Sequence, residues 1–568
     1  MTLATSGSGS GDAIVREDDS LTLVEERVLV SPENPGYVID DTPGSDQWES
    51  TVSWDTDATS GASDWRTLLQ KNRSNIRSNV AVEVARGDLS IDLVAQNSLL
   101  TLASGYLRTL QAGKNITLTA DDINFISGVG YVVGLNELRM QAHQAVWNYY
   151  LGTTAETAGG VDYEENSTQQ TSLPGFYFSN RDLAALANGY TQIRVGRAAV
   201  GNHMYLGDIK DTTLVKKTGE TRLANSKTSA LHDATTLTAD VIDVVGDVQA
   251  PLDLLTLNAR KLWVQSQNIQ DPVGGPDSGL FARQVLLNVG EQALVGGWVK
   301  GTEKVTLNVT GTPGDAHVSG SASDGTDAYF VPPYLALAGA NSLQIDSGGL
   351  IASLGAASTI AIETLHSIET RGKISVGGIG STLNLHAGGP IIVAEGTDIS
   401  GLAANATLNI RSDDVIAINP GSALRSGVAF QSDNITPYIS GANGALNIVS
   451  SGELLLGGSV SASGDMLLSS SAQKYDGQAY GDATNAAYAA RYAIFNKSAY
   501  FANIAKVSQT HYLVAHTGGY GMLVTGTVTS LGDSKSLTLH SDQDVIVRGN
   551  INATGAAATL TLQSNEWL

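Results

Sequence analysis

Four segments of the chain share one template, and that template narrows the folds open to it. Thr382-Leu-Asn-Leu-His-Ala-Gly-Gly-Pro-Ile-Ile-Val393, Thr407-Leu-Asn-Ile-Arg-Ser-Asp-Asp-Val-Ile-Ala-Ile418, Ala445-Leu-Asn-Ile-Val-Ser-Ser-Gly-Glu-Leu-Leu-Leu456 and Ser536-Leu-Thr-Leu-His-Ser-Asp-Gln-Asp-Val-Ile-Val547 each read apolar-x-apolar, a polar turn, then a second apolar run. The last copy continues through Ile551 and Ala553 and restarts at Thr559-Leu-Thr-Leu562. Leu537 and Leu539, Val545 and Val547, then Ile551 and Ala553 fall on one side of three short alternating strands, each bounded by Asp, Asn or Gly. Three such strands and their turns use about twenty residues before the pattern restarts, which is one coil of a β-solenoid and too short for a meander of long hairpins. Leu383 and Leu408 lie 25 apart, and Leu537 and Leu560 lie 23 apart, so strict-length repeats are excluded. The predicted fold is all-β: a right-handed parallel β-helix with a few short helices and loop insertions.

Composition agrees with that reading. The 568 residues include 62 Gly but only 13 Pro and 8 Phe, which describes many tight turns around a core of Val, Ile, Leu and Ala. A chain this long can remain one body as a solenoid, because each coil needs only its neighbours. The net charge of −23 argues against a partner recognised through phosphates, so no nucleic-acid partner is expected. The absence of Cys removes disulfides, thiolate metal sites and Cys nucleophiles together. Met1 to Gly11 has neither the basic start nor the apolar core of a secretory signal, and no stretch is apolar enough to span a bilayer.

Five regions follow in order. Residues 1–61 hold thirteen Asp or Glu against Arg16 and Arg27 and form an acidic N-terminal leader; within it Asp40, Asp41 and Asp46 are the candidate divalent-cation ligands. Residues 62–80 place Trp65, Leu68, Leu69, Ile76 and Val80 on one helical face, a helix suited to cap a solenoid end. Coils occupy 81–470, with an insertion at about 139–180. Residues 471–515 are rich in Ala and Tyr and read as a helical excursion, since Tyr488, Tyr492 and Phe495 have helical spacing. Coils resume over 516–568.

Candidate chemistry is sparse. In the insertion, Trp147, Tyr149 and Phe176 are the candidate sugar-stacking residues. Arg86-Gly-Asp88 matches a tripeptide read by integrins, although Gly-Asp is also an ordinary turn and recurs at Gly207, Gly246 and Gly464. Acidic groups that an enzyme of this fold would use are Asp121 with Asp122, Asp324 with Asp327, Asp413 with Asp414, and Asp542 with Asp544, each in a turn where Asp is common. No zinc-protease or Ser-hydrolase motif occurs, and neither do repeated calcium turns. No catalytic residue, metal ligand or cofactor is therefore assigned; Ca2+ stays open without a motif behind it.

Gly113-Lys-Asn-Ile-Thr-Leu-Thr-Ala120, Thr191-Gln-Ile-Arg-Val-Gly-Arg197 and the stretch from Ser536 to Gly555 resemble phrases of the filamentous-haemagglutinin-like class of giant bacterial surface and secreted proteins. The likeness covers residues 62–568, with gaps. It implies a non-enzymatic structural or adhesive module of an extracellular or cell-surface filament. Implied partners are cell-surface polysaccharide, a partner cell surface, and self-association or chain continuation through the solenoid ends. The Asn-Pro-Asn-Leu secretion motif of that class is absent; Asn34-Pro35-Gly36 does not supply it, which leaves the export route open. The alternative expectation is a β-helix that binds or degrades polysaccharide.

Overall fold

The computed structural model describes residues 3–5, 12–23, 26–29, 76–126, 129–153, 175–207, 229–265, 278–311, 342–431, 436–471 and 521–565. They belong to two compact units, one of residues 1–205 and 229–239, the other of 206–228 and 240–568. The described chain is almost wholly strand, and α1 (Asn180–Ala185) is its one α-helix among the described residues. The fold is an all-β parallel β-helix.

The larger unit shows the construction most plainly. Strands Thr359–Thr364, Ile368–Thr370 and Lys373–Val376 make one coil. Each pairs in parallel with its counterpart in the next: Thr382–Ala387, Ile391–Val393 and Asp398–Gly401. Three ladders therefore run from coil to coil. In the earliest coils, Asp247–Val264, Gly279–Val295 and Trp298–Val309 run around the corners as long strands. This joins the ladders into one network without closing a barrel, because each strand's neighbours are still the matching strands of the preceding and following coils.

Alternation fixes the core. In the first ladder Val305, Ile360, Leu383, Leu408, Leu446, Met466 and Leu537 stack in one inward column. Leu307, Ile362, Leu385, Ile410, Ile448, Leu468 and Leu539 stack in a second, and all fourteen are buried. Each such side chain stabilises the coil by about 2 kcal/mol. The third inward position of the strand is Val309, Thr364 and Ala387 in earlier coils and Ser412, Ser450, Ser470 and Ser541 in later ones, where the hydroxyls are fully buried. Their hydroxyls close the turns, for Ser412 Oγ donates to the Gly389 carbonyl at 2.8 Å, Ser450 Oγ to that of Asp414 at 2.6 Å and Ser470 Oγ to that of Gly452 at 2.8 Å. A buried hydroxyl is tolerated because a turn carbonyl accepts its hydrogen.

The corner before the first ladder places a left-handed residue in six coils: Ala357, Gly380, Asn405, Asn443, Ser534 and Ala557 all have φ between 51° and 74°, while Ser463, at the same place before Met466–Ser470, does not adopt it. One backbone conformation is thus imposed at one place whatever the residue, and Asn and Gly occupy it most readily. Outside the core, side-chain amides ladder as well: Asn409 Nδ2 donates to Asn384 Oδ1 and Asn447 Nδ2 to Asn409 Oδ1, both at 2.8 Å.

The smaller unit follows the same rule with less regular coils. Ala13–Glu17, Leu89–Leu93, Ile116–Thr119, Glu137–Gln141, Gln192–Gly196 and Thr235–Thr238 form one parallel ladder. Leu21–Leu23, Leu99–Leu102 and Asp122–Phe125 form another. Part of the acidic leader is consequently the first described coil, in register with residues far along the chain. The helix expected over 62–80 is replaced at its end by strand Ile76–Val84; the rest of that segment lies outside the described residues. The insertion at 139–180 also contributes coil strands, since Asn148–Thr153 pairs with Gly175–Ser179. Helix α1 is capped by Ser179, whose hydroxyl accepts from the Asp182 amide while Asp182 accepts from the Ser179 amide at 2.8 Å. The excursion expected over 471–515 falls almost entirely outside the described residues.

Candidate functional site

The stacking residues read from the sequence do not form a platform. Tyr149 and Phe176 are fully buried, with ring centroids 5.3 Å apart. The Tyr149 hydroxyl accepts from the Ala142 amide at 3.1 Å, and burial pushes its pKa up. Trp147 is half-buried and its indole N–H donates to the Asp121 carbonyl at 2.7 Å. A sugar ring has no face to rest on at Tyr149 or Phe176. Successive residues of a strand point to opposite sides, so the outward ring beside Tyr149 is Tyr150. It stacks on Tyr177 at 4.6 Å and on Tyr205 at 5.2 Å, and His203 stacks on Tyr205 at 4.0 Å. Tyr150 and Tyr205 are themselves buried. Strand parity was the signal that separates the two sets.

Most carboxylate candidates are structural. Asp121 is fully buried and accepts from the amides of Asn97 and Gln144 at 2.8 Å and from Gln144 Nε2 at 2.9 Å. Asp122 Oδ1 accepts from the Tyr177 amide at 2.8 Å. Asp88 of the Arg-Gly-Asp tripeptide accepts from the Asn115 amide at 2.7 Å, and its own amide donates to Asp12 Oδ1 at 2.9 Å, which ties that turn into the coil. Asp542 Oδ1 lies 3.8 Å from His540 Nε2 and accepts from Asn565 Nδ2 at 3.2 Å. Asp324, Asp327, Asp40, Asp41 and Asp46 lie outside the described residues. Among the described residues no group of three or more His, Asp or Glu side chains is placed to hold a metal ion.

Two places depart from that pattern. At one corner, Asp414 and Glu453 come from the equivalent turns of successive coils, whose strands Thr407–Ser412 and Ala445–Ser450 pair in register. Both are buried, and Glu453 Oε1 has no hydrogen-bond partner. Burial, reinforced by the charge of Asp414, pushes the Glu453 carboxyl up to about 8, so it holds a proton at neutral pH. The sequence analysis picked out Asp414 but not Glu453, whose Ser451-Gly452-Glu453 context reads as a solvated turn.

The other place is the outer face of the first ladder in the larger unit. Thr359, Thr382 and Thr407 form one outward column, and Asn384, Asn409 and Asn447 form the next. At the rim His386 Nδ1 lies 3.9 Å from Glu363 Oε1 and its Nε2 3.4 Å from Asp413 Oδ2, with Arg411 Nη2 3.4 Å from Asp413 Oδ1. The Thr and Asn columns are mostly half-buried hydrogen-bonding side chains repeating at the coil spacing of about 4.8 Å.

In the last described coil Leu560 and Leu562 continue the two core columns, pairing with Leu537 and Leu539.

No family model, no curated protein and no solved structure matches the chain. No helix among the described residues is long and apolar enough to cross a membrane.

Proposed function

We propose that the chain is a structural or adhesive module of a filamentous protein at the cell surface or outside the cell, acting without catalysis. The observation that supports this reading is the unbroken stacking of two aliphatic core columns through successive coils, from Val305 to Leu537 and from Leu307 to Leu539, all buried and all in parallel register. Each coil is held to the next by backbone ladders as well as by these columns, the construction expected of a module that carries load. The resemblance of the Ser536–Gly555 stretch to filamentous-haemagglutinin-like repeats points the same way. Single-molecule pulling tests it: coil-by-coil resistance to extension, lowered in the core variant Leu408→Ala, is the expected result, and a chain that extends at negligible force overturns the load-bearing reading.

A second reading rests on the outer Thr and Asn columns. A flat surface of hydroxyls and amides suits an extended polysaccharide, bound at the cell surface or cut. A carbohydrate panel with product analysis separates the two outcomes: binding without turnover supports a sugar-binding module, whereas oligosaccharide release lost in Asp413→Ala would replace the structural reading with an enzyme.

A further inference from the structure

His386 stands on the outer face of Thr382–Ala387, in register with Glu363 of the preceding coil and Arg411 of the following one. A carboxylate lies at each of its ring nitrogens: Glu363 Oε1 is 3.9 Å from Nδ1, and Asp413 Oδ2, from the turn after Arg411, is 3.4 Å from Nε2. A neutral imidazole carries one proton, so one nitrogen always turns a lone pair towards a carboxylate. Two acceptors that face each other repel unless a positive charge, a second proton or a metal ion, lies between them. The separation distinguishes the two. Nε2 is buried and has no hydrogen-bond partner, and 3.4 Å is longer than the about 2.7–3.2 Å of an N–H···O bond. Metal–ligand distances of about 2.0–2.2 Å at the tetrahedral angle put a nitrogen and an oxygen about 3.4 Å apart, which is the spacing found.

We propose that His386 Nε2 and Asp413 Oδ2 are the two protein ligands of a divalent transition-metal ion of the Zn2+ type, whose shell is completed by water. Imidazole suits such an ion, whereas Ca2+ and Mg2+ take oxygen ligands. Glu363 acts through His386. Its charge beside Nδ1 favours the proton on that nitrogen and leaves the Nε2 lone pair for the ion, as a carboxylate behind a metal-bound histidine does. Arg411 opposes the ion: its Nη2 lies 3.4 Å from Asp413 Oδ1, which leaves Oδ2 to the metal but brings a positive charge close. The His386 and Asp413 side chains are 36% and 44% exposed, so water can reach the remaining coordination positions. With two protein ligands the site is weaker than a four-ligand structural zinc site, and it is consistent with the lack of a three-residue metal group among the described residues. Two other histidines beside an aspartate lack this geometry. His540, in the same outward column, has Nε2 3.8 Å from Asp542 Oδ1, but Ser469 Oγ rather than a carboxylate faces its Nδ1, and Asp542 Oδ1 already accepts from Asn565 Nδ2. His143 Nδ1 lies 4.0 Å from Asp92 Oδ1.

Calorimetric titration of the full, metal-free chain with ZnCl2 at neutral pH, in a buffer that does not bind zinc, tests the site, with CaCl2 as the comparison ion. His386→Ala and Asp413→Asn are each expected to bind one Zn2+ fewer per chain than the native protein, and Ca2+ is expected not to fill that site. Glu363→Gln should weaken it by about tenfold, Arg411→Gln should tighten it, and His540→Ala and His143→Ala should leave it unchanged. All of these side chains lie outside the core, and far-ultraviolet dichroism checks that each variant keeps its strands. A Zn2+ titration of His386→Ala that matches the native one means adventitious binding elsewhere on a chain of net charge −23, and overturns the proposal. So does the absence of Zn2+ binding, the result expected if a second proton fills the gap.

Discussion

Replacing Glu453 by Gln should stabilise the protein, and by an amount that grows with pH. The carboxyl is buried beside Asp414 and is raised from its ordinary 4.5 to about 8. Between those values the folded chain keeps the proton while the unfolded chain releases it, so stability falls as pH rises. Its contribution is fully present below about pH 4.5 and lost progressively up to about pH 8. At about 1.4 kcal/mol per pH unit, the interval of 8 − 4.5, about 3.5 units, sets a ceiling of about 5 kcal/mol for the loss. At pH 7 the corresponding figure is about 3 kcal/mol. Gln has the shape of the protonated acid and no titration of its own.

Denaturant unfolding of the native and Glu453→Gln proteins at pH 5, 6, 7 and 8 reads this directly. The difference between the two removes the titrating groups that do not interact with Glu453, among them Asp243, whose burial raises it to about 7 against the opposing hydrogen bond from Gln265 Nε2. The expected difference is near zero at pH 5 and climbs to a few kcal/mol by pH 8. If the corner opens locally before the coils unfold, the climb shrinks but keeps its sign. A difference that is flat from pH 5 to pH 8, or that favours the native Glu at high pH, refutes the assignment of a buried, protonated carboxyl.

Three further outcomes are expected. Ser450→Ala removes a buried hydroxyl whose one hydrogen is shared between the Asp414 and Glu453 carbonyls, and should cost about 1 kcal/mol in thermal or denaturant unfolding, because both carbonyls keep a backbone donor, from Gly452 and Ile416. At the left-handed corner, Gly380→Ala meets open space but holds a φ of 74°, so it should destabilise by about 1 kcal/mol; Ala357→Gly, at φ 51°, should stabilise by a few tenths to about 1 kcal/mol. Leu408→Ala, inside a continuous core column, should cost about 2–5 kcal/mol, whereas Leu560→Ala, already 42% exposed, should cost well under half as much by the same assay.

Where the sequence was legible, it was so because a single coil contains its own evidence. The runs Leu537-x-Leu539 and Leu383-x-Leu385 declare their inward side by period two, and both are buried as read. Reading failed where the decisive contact comes from another coil. Ala13–Glu17 looks like acidic leader because its pairing with Leu89–Leu93 is invisible locally. Ile76 and Val80 are four apart, a spacing that fits a helical face as well as a strand, and only the continuation through Val82 and Val84 favours the strand found there. Tyr149 and Tyr150 are adjacent aromatics, and nothing short of the inward phase set by Leu151 says which of them joins the inner cluster with Phe176 and which stacks on Tyr177 and Tyr205, both being buried. Glu453 is the clearest case: its turn is polar and ordinary in isolation, and only stacking on Asp414 turns it into a buried acid.

The positions that carry the testable chemistry share a location, and the fold explains why. A ladder requires each strand to match the one below it, which holds the inward columns to aliphatic residues and the third position to Ala, Ser or Thr over much of the larger unit. A corner need only return the chain to the next strand in register. The span from Asn409 to Asn447 is 38 residues against 25 from Asn384 to Asn409, because a hairpin is inserted at that corner, yet both amide bonds measure 2.8 Å. Extra residues are absorbed at the turn without disturbing the sheet, much as long loop insertions add little closure entropy. The protonated Glu453 and the hairpin that pairs Val428–Phe430 with Pro437–Ile439 both sit at such corners. In this solenoid the strands set the fold, while the corners are free to differ, so comparison of corner residues rather than of the repeated template is where a partner's signature should be sought.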